Sequence, residues 1–249
     1  MKFVGIIPAR YASTHFPGKP LADLLGKPVI QRVYERVIDL LDRVVVATDD
    51  ERILNTVLKW GGEALMTSSA HTSGTDRCLD AYLQLNEEYD VIINIQGDEP
   101  FIHPSQIELL KSAFQNPSTQ IATLVKPFSP DDDFENLFNP NTTKVILNTK
   151  GQAIYFSRSV IPYVRGKHHS EWLFTSVYYK HIGIYACKSQ VLSEITSLPP
   201  SALEKAESLE QLRWIENGYM IQAMITNEDT MGIDTPEDLE KAVKILERR

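Results

Sequence analysis

The chain has 249 residues, of which 43% are hydrophobic and 23% charged, a composition typical of a folded protein that excludes extensive disorder. Its net charge of −8 excludes nucleic acid as the expected partner, because phosphate backbones attract an excess of Lys and Arg. A small anionic ligand is compatible with this charge, since a few local cations are enough to bind it.

Neither a disulfide framework nor a membrane segment is indicated. Cys78 and Cys187 lack the clustering of a metal site, so each is expected in the core. The apolar run from Phe3 to Ile7 stops at Pro8 and is shorter than the apolar region of a signal peptide. No apolar stretch approaches the roughly 20 residues that a membrane helix needs. We therefore expect a cytoplasmic protein with no membrane partner.

The first half of the chain alternates apolar strands with amphipathic helices. In chain order, the pattern predicts a strand at 2–7, a helix at 29–41, a strand at 43–48, a helix at 51–60, a strand at 63–67, a helix at 73–85, a strand at 91–96 and a helix at 104–114. Ser73 and Asp76 have the spacing of a capping box at the third helix. This alternation predicts a parallel sheet covered by helices on both faces.

The second half has strands separated by long polar connections. Strands are predicted at 121–127, 144–147, 153–156, 178–187 and 220–225, and helices at 203–217 and 237–247. The last helix begins well, with Thr235 as N-cap, Pro236 in the first turn and Asp238 at the capping-box position. Together the elements predict one α/β domain, 1–249, a Rossmann-like three-layer sandwich with a mostly parallel mixed sheet and an excursion around 161–172.

The loop at 8–20 directly follows the first strand, where open α/β sheets bind their ligands. Arg10 and Lys19 supply positive charge, and the loop supplies backbone N–H groups, a combination that suits a triphosphate. The loop is not a Walker A loop, because Ser13 stands where the first glycine would be. A basic surface loop with a Pro-Gly turn explains the same residues equally well.

Two carboxylates are candidates for a metal site. Asp98 follows the strand at 91–96, a place where Mg²⁺ can be held while it also binds phosphate oxygens. Asp234 precedes the N-cap of the last helix, after the strand at 220–225. A turn aspartate and a helix-start acid are the alternative explanations for these residues.

Further polar side chains lie beside predicted strands of the second half. Arg158 can bind a carboxylate through two hydrogen bonds, and His181 can bond to a sugar hydroxyl. Taken alone, a surface salt bridge explains Arg158, and an interface or core position explains His181. Glu210 and Gln211 belong to a predicted amphipathic helix, where alone they would form a solvated face.

Read together, these segments resemble the 3-deoxy-manno-octulosonate (Kdo) cytidylyltransferases, the CMP-Kdo synthetases of Gram-negative bacteria. The resemblance extends from the first residue to the last helix and rests on the order and number of its motifs. The motifs are 3–14 (FVGIIPARYAST), 17–21 (PGKPL), 46–49 (VATD), 73–77 (SGTDR), 94–100 (NIQGDEP), 139–141 (NPN), 155–158 (YFSR), 181–185 (HIGIY), 209–213 (LEQLR) and 232–239 (GIDTPEDL).

The resemblance implies that the anomeric hydroxyl of Kdo attacks the α-phosphorus of CTP, giving CMP-Kdo for lipopolysaccharide synthesis and pyrophosphate. Arg10, Lys19, Asp98 and Asp234 are the implied catalytic residues, and the two aspartates would hold the Mg²⁺ cofactor. The implied CTP-binding residues are Ala9, Arg10, Ala12, Ser13, Lys19, Ser73, Gly74 and Gln96. The implied sugar-binding residues are Gln96, Arg158, His181, Tyr185, Glu210 and Gln211. A homodimer formed through the excursion, within 155–190, is also implied.

One residue departs from the family pattern. His15 stands where the family usually has an Arg that is expected to touch the triphosphate. An unperturbed histidine has a pKa of about 6.5, is mostly neutral at pH 7 and cannot form the arginine fork. We therefore expect weaker CTP binding or turnover than in a His15→Arg variant, increasingly so from about pH 6 to pH 8.

Two other functions explain much of the same sequence. One is CTP-dependent activation of a different acidic sugar, such as a sialic or pseudaminic acid. The other is a nucleotide-binding module without activity, an alternative that the absence of the usual Arg at position 15 leaves open. Retention of Asp98, Asp234, Arg10 and Lys19 argues against an inactive module, because a binder needs no pair of metal carboxylates.

Overall fold

The computed structural model describes residues 1–12, 16–131 and 134–248. Its strands, in chain order, are β1 (Phe3–Ala9), β2 (Arg43–Thr48), β3 (Ala64–Met66), β4 (Val91–Asn94), β5 (Ile121–Pro127), β6 (Lys144–Leu147), β7 (Ala153–Ser157), β8 (Tyr179–Lys188) and β9 (Ile221–Ile225). Its α-helices are α1 (Val29–Val37), α2 (Glu51–Lys59), α3 (Gly74–Gln84), α4 (Pro104–Ala113), α5 (Phe134–Phe138), α6 (Trp172–Thr175), α7 (Ser189–Thr196), α8 (Ala202–Glu207), α9 (Gln211–Glu216) and α10 (Pro236–Glu247). Short 3₁₀ helices cover Lys19–Leu21, Ile38–Leu40 and His169–Glu171.

The chain divides into two compact units, which we call unit 1 (1–108, 186–196 and 230–249) and unit 2 (109–185 and 197–229). Unit 1 has the parallel strand order β3-β2-β1-β4. β1 pairs with β2 up to Ala9 and Thr48 and with β4 up to Ile6 and Asn94. These pairings bring the carboxyl ends of β1, β2 and β4 to one edge, where ligands of such sheets bind.

Unit 2 has a mixed arrangement of strands. β5 pairs in parallel with β9, whereas β6 pairs antiparallel with β7 and with β8. A hydrophobic cluster in unit 2 contains the buried side chains of Phe128, Leu137, Trp172 and Tyr178. The observed strands and helices confirm the predicted α/β class and the change from parallel to mixed pairing near the middle of the sequence.

Several predicted boundaries are confirmed and one predicted helix is wrong. The strands at 43–48, 121–127 and 144–147 have the predicted bounds, and both cysteines are free and buried, as expected. The predicted helix at 203–217 is instead two helices, α8 and α9. Ser208 ends α8 in the left-handed region with φ 52°, which the apolar spacing of the segment does not reveal.

Three helices were not predicted from the sequence. α5 and α6 are four or five residues long, too short for a helical period to be visible. α7 follows β8 without an intervening turn, so that no Gly or Pro marks its start. No helix among the described residues is long and apolar enough to cross a membrane.

Candidate functional site

A cleft of about 370 Å³ lies in unit 1 at the carboxyl ends of the parallel strands. Its walls come from the loop after β1, the turn after β4 and the start of α3. Seven residues predicted to bind CTP line it, namely Ala9, Arg10, Ala12, Lys19, Ser73, Gly74 and Gln96, and so does the predicted metal ligand Asp98. The predicted contact Ser13 and the unusual His15 lie outside the described residues.

Lys19 joins the two predicted metal ligands. Its Nζ donates a hydrogen bond to Oδ2 of Asp98 and lies 2.9 Å from Oδ1 of Asp234. These aspartates are 136 positions apart in the sequence (234 − 98), and the structure brings both carboxylates to one ammonium group. Asp98 and Asp234 therefore meet at a single point, as a shared metal site requires.

The backbone explains how Asp234 reaches Asp98. The N–H of Ile233 donates to the carbonyl of Asp98 at 2.8 Å, which ties the segment before α10 to the turn after β4. Thr235 then caps α10, accepting from the N–H of Asp238, whose side chain accepts in return from the backbone of Thr235. This capping box satisfies free N–H groups of the helix and fixes the residue that adjoins Asp234.

The electrostatics of the cleft reflect this convergence of charge. Burial alone would lower the pKa of Lys19, but the charges of Asp98 and Asp234 and the hydrogen bonds to them raise it above its ordinary value. Burial, followed by the charges of Asp98 and Asp234, raises the pKa of Glu99 to about 8. The Oε2 atom of Glu99 is buried with no hydrogen-bond partner among the described residues.

The two aspartates fit a magnesium ion by their chemistry. Mg²⁺ prefers carboxylate oxygens, commonly one or two from the protein, with phosphate oxygens and water completing its shell. Asp98 and Asp234 provide two such groups, and their shared contact with the Lys19 ammonium demonstrates that they hold one positive charge together. Within the described ranges no group of three or more His, Cys, Asp or Glu side chains is placed to hold a metal ion.

The start of α3 forms another wall of the cleft. Ser73 caps this eleven-residue helix by accepting from the N–H of Asp76 at 3.1 Å, which confirms the predicted N-cap. Opposite it, Gly97 lies so close to β1 that a Cβ would be 2.9 Å from the carbonyl oxygen of Pro8. A larger residue at position 97 would push the turn after β4, and Asp98 with it, away from the loop after β1.

Arg77 is a residue of the cleft that sequence reasoning missed. It lines the cleft although it is only 1% exposed. Its guanidinium donates to Oδ2 of Asp49 at 2.9 Å and to Oγ1 of Thr67 at 2.6 Å. The signal in the sequence was Asp49, which follows β2 as Arg10 follows β1. A carboxylate at the end of a parallel strand predicts a cationic side chain nearby.

Arg158 of unit 2 is bound to backbone carbonyls. Its Nε donates to the carbonyl of Glu207 at 2.6 Å, its Nη1 to Pro140 at 3.0 Å and its Nη2 to Ser208 at 3.4 Å. The Glu207 carboxylate accepts from the N–H of Arg158 at 2.9 Å and from the hydroxyl of Ser157 at 2.6 Å. The three side-chain bonds leave two of the five N–H groups of an arginine for a ligand.

His181 and Tyr185, which were both predicted to bind the sugar, are neighbours on β8, with ring centroids 5.2 Å apart. The Nε2 atom of His181 lies 3.0 Å from Oγ1 of Thr123, and its ring packs edge-on against Phe156. Burial lowers the pKa of His181 to about 3, so the imidazole is neutral at physiological pH. A neutral imidazole has one donor and one acceptor, and a sugar hydroxyl can pair with either of them.

Gln211, the next predicted sugar contact, is buried at 5% exposure as the first residue of α9, with Glu210 as the preceding cap. The idea that this pair forms a solvated face is therefore wrong. The break at Ser208 turns α9 inward, so that Leu212 and Trp214 are buried together with Gln211. Tyr185 packs edge-on against Trp214, with ring centroids 5.0 Å apart, so α9 lies beside the aromatic side chains of β8.

The excursion of unit 2 exposes large apolar side chains. Within 155–190, Tyr163 is 71% exposed, Phe174 74% and Val177 60%. An open cleft of about 470 Å³ beside them is lined by Arg158, Tyr163, His169 and Trp172, among others. Large apolar side chains this exposed within one short segment are consistent with an interaction surface.

Comparison with known proteins identifies relatives that match this chain over its full length. Residues 4–239 match the family model described as cytidylyltransferase. A 3-deoxy-manno-octulosonate cytidylyltransferase of Parabacteroides distasonis is 66% identical, and the alignment covers 100% of this chain and 100% of the relative. A protein of the same description from Phocaeicola vulgatus is 60% identical, with 100% of this chain and 99% of that protein covered.

A solved structure agrees with the fold over the whole chain. The structure of CMP:2-keto-3-deoxy-manno-octonic acid synthetase complexed with CTP superposes with a TM-score of 0.91 at 42% sequence identity, covering 100% of this chain and 99% of that one. This likeness confirms the predicted Rossmann-like α/β fold with a mostly parallel mixed sheet.

Proposed function

The chain belongs to the family of 3-deoxy-manno-octulosonate cytidylyltransferases, and we propose that it transfers CMP from CTP to Kdo, releasing pyrophosphate. The product, CMP-Kdo, is the activated sugar for lipopolysaccharide synthesis. The observation that carries the proposal is that Asp234 converges with Lys19 and Asp98, which line the cleft of unit 1. Because CTP is a nucleotide of the cytoplasm, we propose that the protein works there.

The residues of the cleft bind and orient the triphosphate in this proposal. Arg10 and Lys19 neutralise its charge, while Ala9, Ala12 and Ser13 border it with backbone N–H groups. Ser73 and Gly74 present the N-terminus of α3, whose exposed N–H groups and dipole favour a negatively charged or hydrogen-bond-accepting ligand. Gln96, which also lines the cleft, is proposed to contact both substrates. Positioning and charge stabilisation supply most of the rate enhancement in phosphoryl transfer, so that no covalent enzyme intermediate is needed.

Asp98 and Asp234, whose carboxylates both contact Lys19, would hold the proposed Mg²⁺ through carboxylate oxygens. The ion supplies Lewis-acid stabilisation of phosphate charge and lowers the pKa of the attacking hydroxyl. In the proposed complex Lys19 would face the triphosphate, and the ordinary lysine pKa of about 10.4 is enough to keep it protonated at neutral pH. Without a bound ion, burial and the charges of Asp98 and Asp234 raise the pKa of Glu99 to about 8, which limits the negative charge beside the two aspartates at neutral pH.

Side chains of unit 2 recognise the acidic sugar in this proposal. The two remaining N–H groups of Arg158 bind the carboxylate of Kdo. The neutral His181 and the hydroxyl of Tyr185 bond to sugar hydroxyls, and Glu210 and Gln211 complete the set of polar contacts. The supporting observation is that β8 and α9 bring His181, Tyr185 and the start of α9 into one neighbourhood of unit 2.

A pyrophosphate-release assay tests the proposal. The protein is mixed with Mg²⁺ and CTP, and with either Kdo or N-acetylneuraminate as acceptor. We expect release with Kdo alone and none when EDTA removes the metal. Release with N-acetylneuraminate would reassign the sugar, and CTP binding without any release would favour an inactive nucleotide-binding module.

We also propose that the chain forms a homodimer through the excursion at 155–190. The exposed Tyr163, Phe174 and Val177 provide an apolar surface that a second copy can cover. Light scattering should give twice the monomer mass for the native chain and the monomer mass for a Phe174→Glu variant. A native chain that remains monomeric at micromolar concentration would contradict this proposal.

A further inference from the structure

The loop that carries Arg10 and Lys19 is bound to α2 through Tyr11. The Cζ atom of Arg52 lies 3.3 Å from the centre of the Tyr11 ring, which is the geometry of a cation–π contact. Arg52 belongs to the first turn of α2, and it lies outside the residues that line the cleft. Its contact with Tyr11 therefore links α2 to the loop at 8–20, which we call the nucleotide loop.

Arg52 is itself held in a fixed orientation. Its Nε lies 2.9 Å from Oδ1 of Asp50 and its Nη2 lies 2.6 Å from Oδ2, a two-point pairing that orients the guanidinium plane. Asp50 also caps α2 by accepting from the N–H of Arg52 at 2.9 Å, and its own N–H donates to the hydroxyl of Thr48 at the end of β2. The plane on which Tyr11 stacks is thus anchored to a helix and a strand.

Tyr11 connects Arg52 to the segment that carries Lys19. Its carbonyl accepts from the N–H of Gly18 at 2.8 Å, so the described ends of the loop are bonded to each other. A Cβ at Gly18 would lie 3.0 to 3.1 Å from three atoms of the Tyr11 side chain, and Gly18 has a φ of 76° that favours glycine. Gly18 caps the 3₁₀ helix Lys19–Leu21, which begins with the lysine that contacts both aspartates.

We propose that Arg52 is a positioning residue for the reaction: by stacking on Tyr11 it holds the nucleotide loop in the conformation that binds the triphosphate. The contacts run in an unbroken series from Asp50 through Arg52, Tyr11 and Gly18 to Lys19. Pre-forming a loop lowers the entropy lost when the ligand binds, which strengthens ground-state and transition-state binding equally. The inference deepens the proposed function, on which it rests, because it assigns the loop to the same CTP site.

The predicted consequence is a change in KM rather than in kcat. An Arg52→Gln variant keeps a polar side chain at this exposed position and loses the charge over the ring. Its KM for CTP should rise about three- to tenfold at nearly unchanged kcat. Tyr11→Leu should give a similar rise, and Tyr11→Phe, which keeps the ring, should retain the native KM. The double variant Arg52→Gln/Tyr11→Leu should have the same KM as Tyr11→Leu alone, because both substitutions remove the same contact.

A matched control comes from the same unit. Arg43 pairs with Glu63, its Nε lying 2.9 Å from Oε2, but neither residue lines the cleft. Arg43→Gln therefore removes a comparable ion pair and should lower the melting temperature without changing the KM for CTP. If Arg52→Gln also lowers the melting temperature but leaves KM as in the native chain, Arg52 has a structural role only and the inference is wrong. Independent, additive effects of the Arg52 and Tyr11 changes would overturn it as well.

Calorimetric binding of CTP and of inorganic triphosphate separates this inference from the proposed function. We expect the native chain to bind both ligands and Arg52→Gln to bind both more weakly by the same factor, since the loop contacts phosphate groups. Equal affinity of the two chains for both ligands would overturn the positioning role. A native chain that binds CTP but releases no pyrophosphate with Kdo would refute the proposed function, while the difference in affinity would still support the role of Arg52.

Discussion

In unit 1 the ammonium of Lys19 contacts two carboxylates from separate loops, whereas in unit 2 the ammonium of Lys144 donates to the backbone carbonyls of Asn139 and Thr142 at 3.0 and 2.6 Å. Arg158 also donates to carbonyls, but it differs from Lys144 because two of its five N–H groups remain for a ligand. A side chain paired with other charged side chains can exchange them for a charged ligand. A cation bonded to carbonyls of its own fold holds the backbone, and removing it leaves those carbonyls without a donor.

The difference between Lys19 and Lys144 shows that a charged side chain near a strand end does not by itself indicate catalysis. Lys144 is fully buried at the start of β6, and burial lowers its pKa. Lys19 lies after β1, and the charges of Asp98 and Asp234 raise its pKa in spite of burial. The chemical identity of the partners distinguishes the two lysines, and the following experiments test that distinction.

The largest expected effect concerns the carboxylates of unit 1. Asp98→Asn and Asp234→Asn should each lower Mg²⁺-dependent turnover by about a thousandfold, because each removes a charge that the metal and the phosphates need. Pyrophosphate release at saturating CTP and Kdo measures the loss. Glu63→Gln, which removes the partner of Arg43 in the same unit, should retain native turnover. Either aspartate variant within tenfold of the native rate would exclude that residue from the metal site.

The next effect is on stability and concerns unit 2. Lys144→Met should lower the free energy of unfolding by about 3 kcal/mol, because two backbone carbonyls lose their donor. Urea denaturation measures this change. Lys19→Met should instead abolish turnover and leave the free energy of unfolding within about 1 kcal/mol of the native value. A Lys144→Met chain that is as stable as the native one would contradict the contrast between the two lysines.

The pH dependence of stability tests the environment of His181. Its folded pKa of about 3 lies below the ordinary value of 6.5, so the unfolded chain binds the additional proton between these values. Stability is therefore lost as pH falls below 6.5, by about 2 kcal/mol between pH 7 and pH 5 for this one group. His181→Gln, which does not titrate, should lack this part of the loss. Parallel urea series for the two chains at both pH values would show equal losses if His181 were not held neutral.

The smallest effect compares helix caps in the two units. Thr235 and Ser201 each form a capping box, at α10 and α8. Thr235→Ala and Ser201→Ala should each lower the free energy of unfolding by about 1 kcal/mol. Only Thr235→Ala should also reduce turnover, because Thr235 adjoins Asp234. Equal turnover of the two variants, measured at equal folded fraction, would show that the cap does not position the carboxylate.

Sequence reasoning predicted the cleft of unit 1 better than the surroundings of unit 2, for a physical reason. Arg10, Lys19 and Asp98 follow parallel strands, whose carboxyl ends share one edge, so their proximity follows from the sheet alone. The contact of Asp234 with Lys19 did not follow, because it depends on a backbone hydrogen bond between Ile233 and Asp98. The hydrophobic periodicity of the sequence gives no indication of that hydrogen bond.

The partners of Arg158 were beyond sequence reasoning for a related reason. They are the carbonyls of Pro140, Glu207 and Ser208, and carbonyls are present at every position, so no residue type marks them. The break between α8 and α9 was missed because Ser208 adopts the left-handed region, where a glycine or asparagine is the usual signal. The burial of Gln211 depends on that break.

Phosphorus NMR of the complete reaction tests the central claim most directly, because it shows which phosphorus of CTP reaches the sugar. The protein is incubated with Mg²⁺, CTP and Kdo, and the phosphorus resonances of the products are followed. We expect a single phosphodiester resonance, from the α-phosphorus of CTP joined to Kdo, together with inorganic pyrophosphate. A phosphomonoester of Kdo with CDP as the second product, or unchanged CTP, would contradict it.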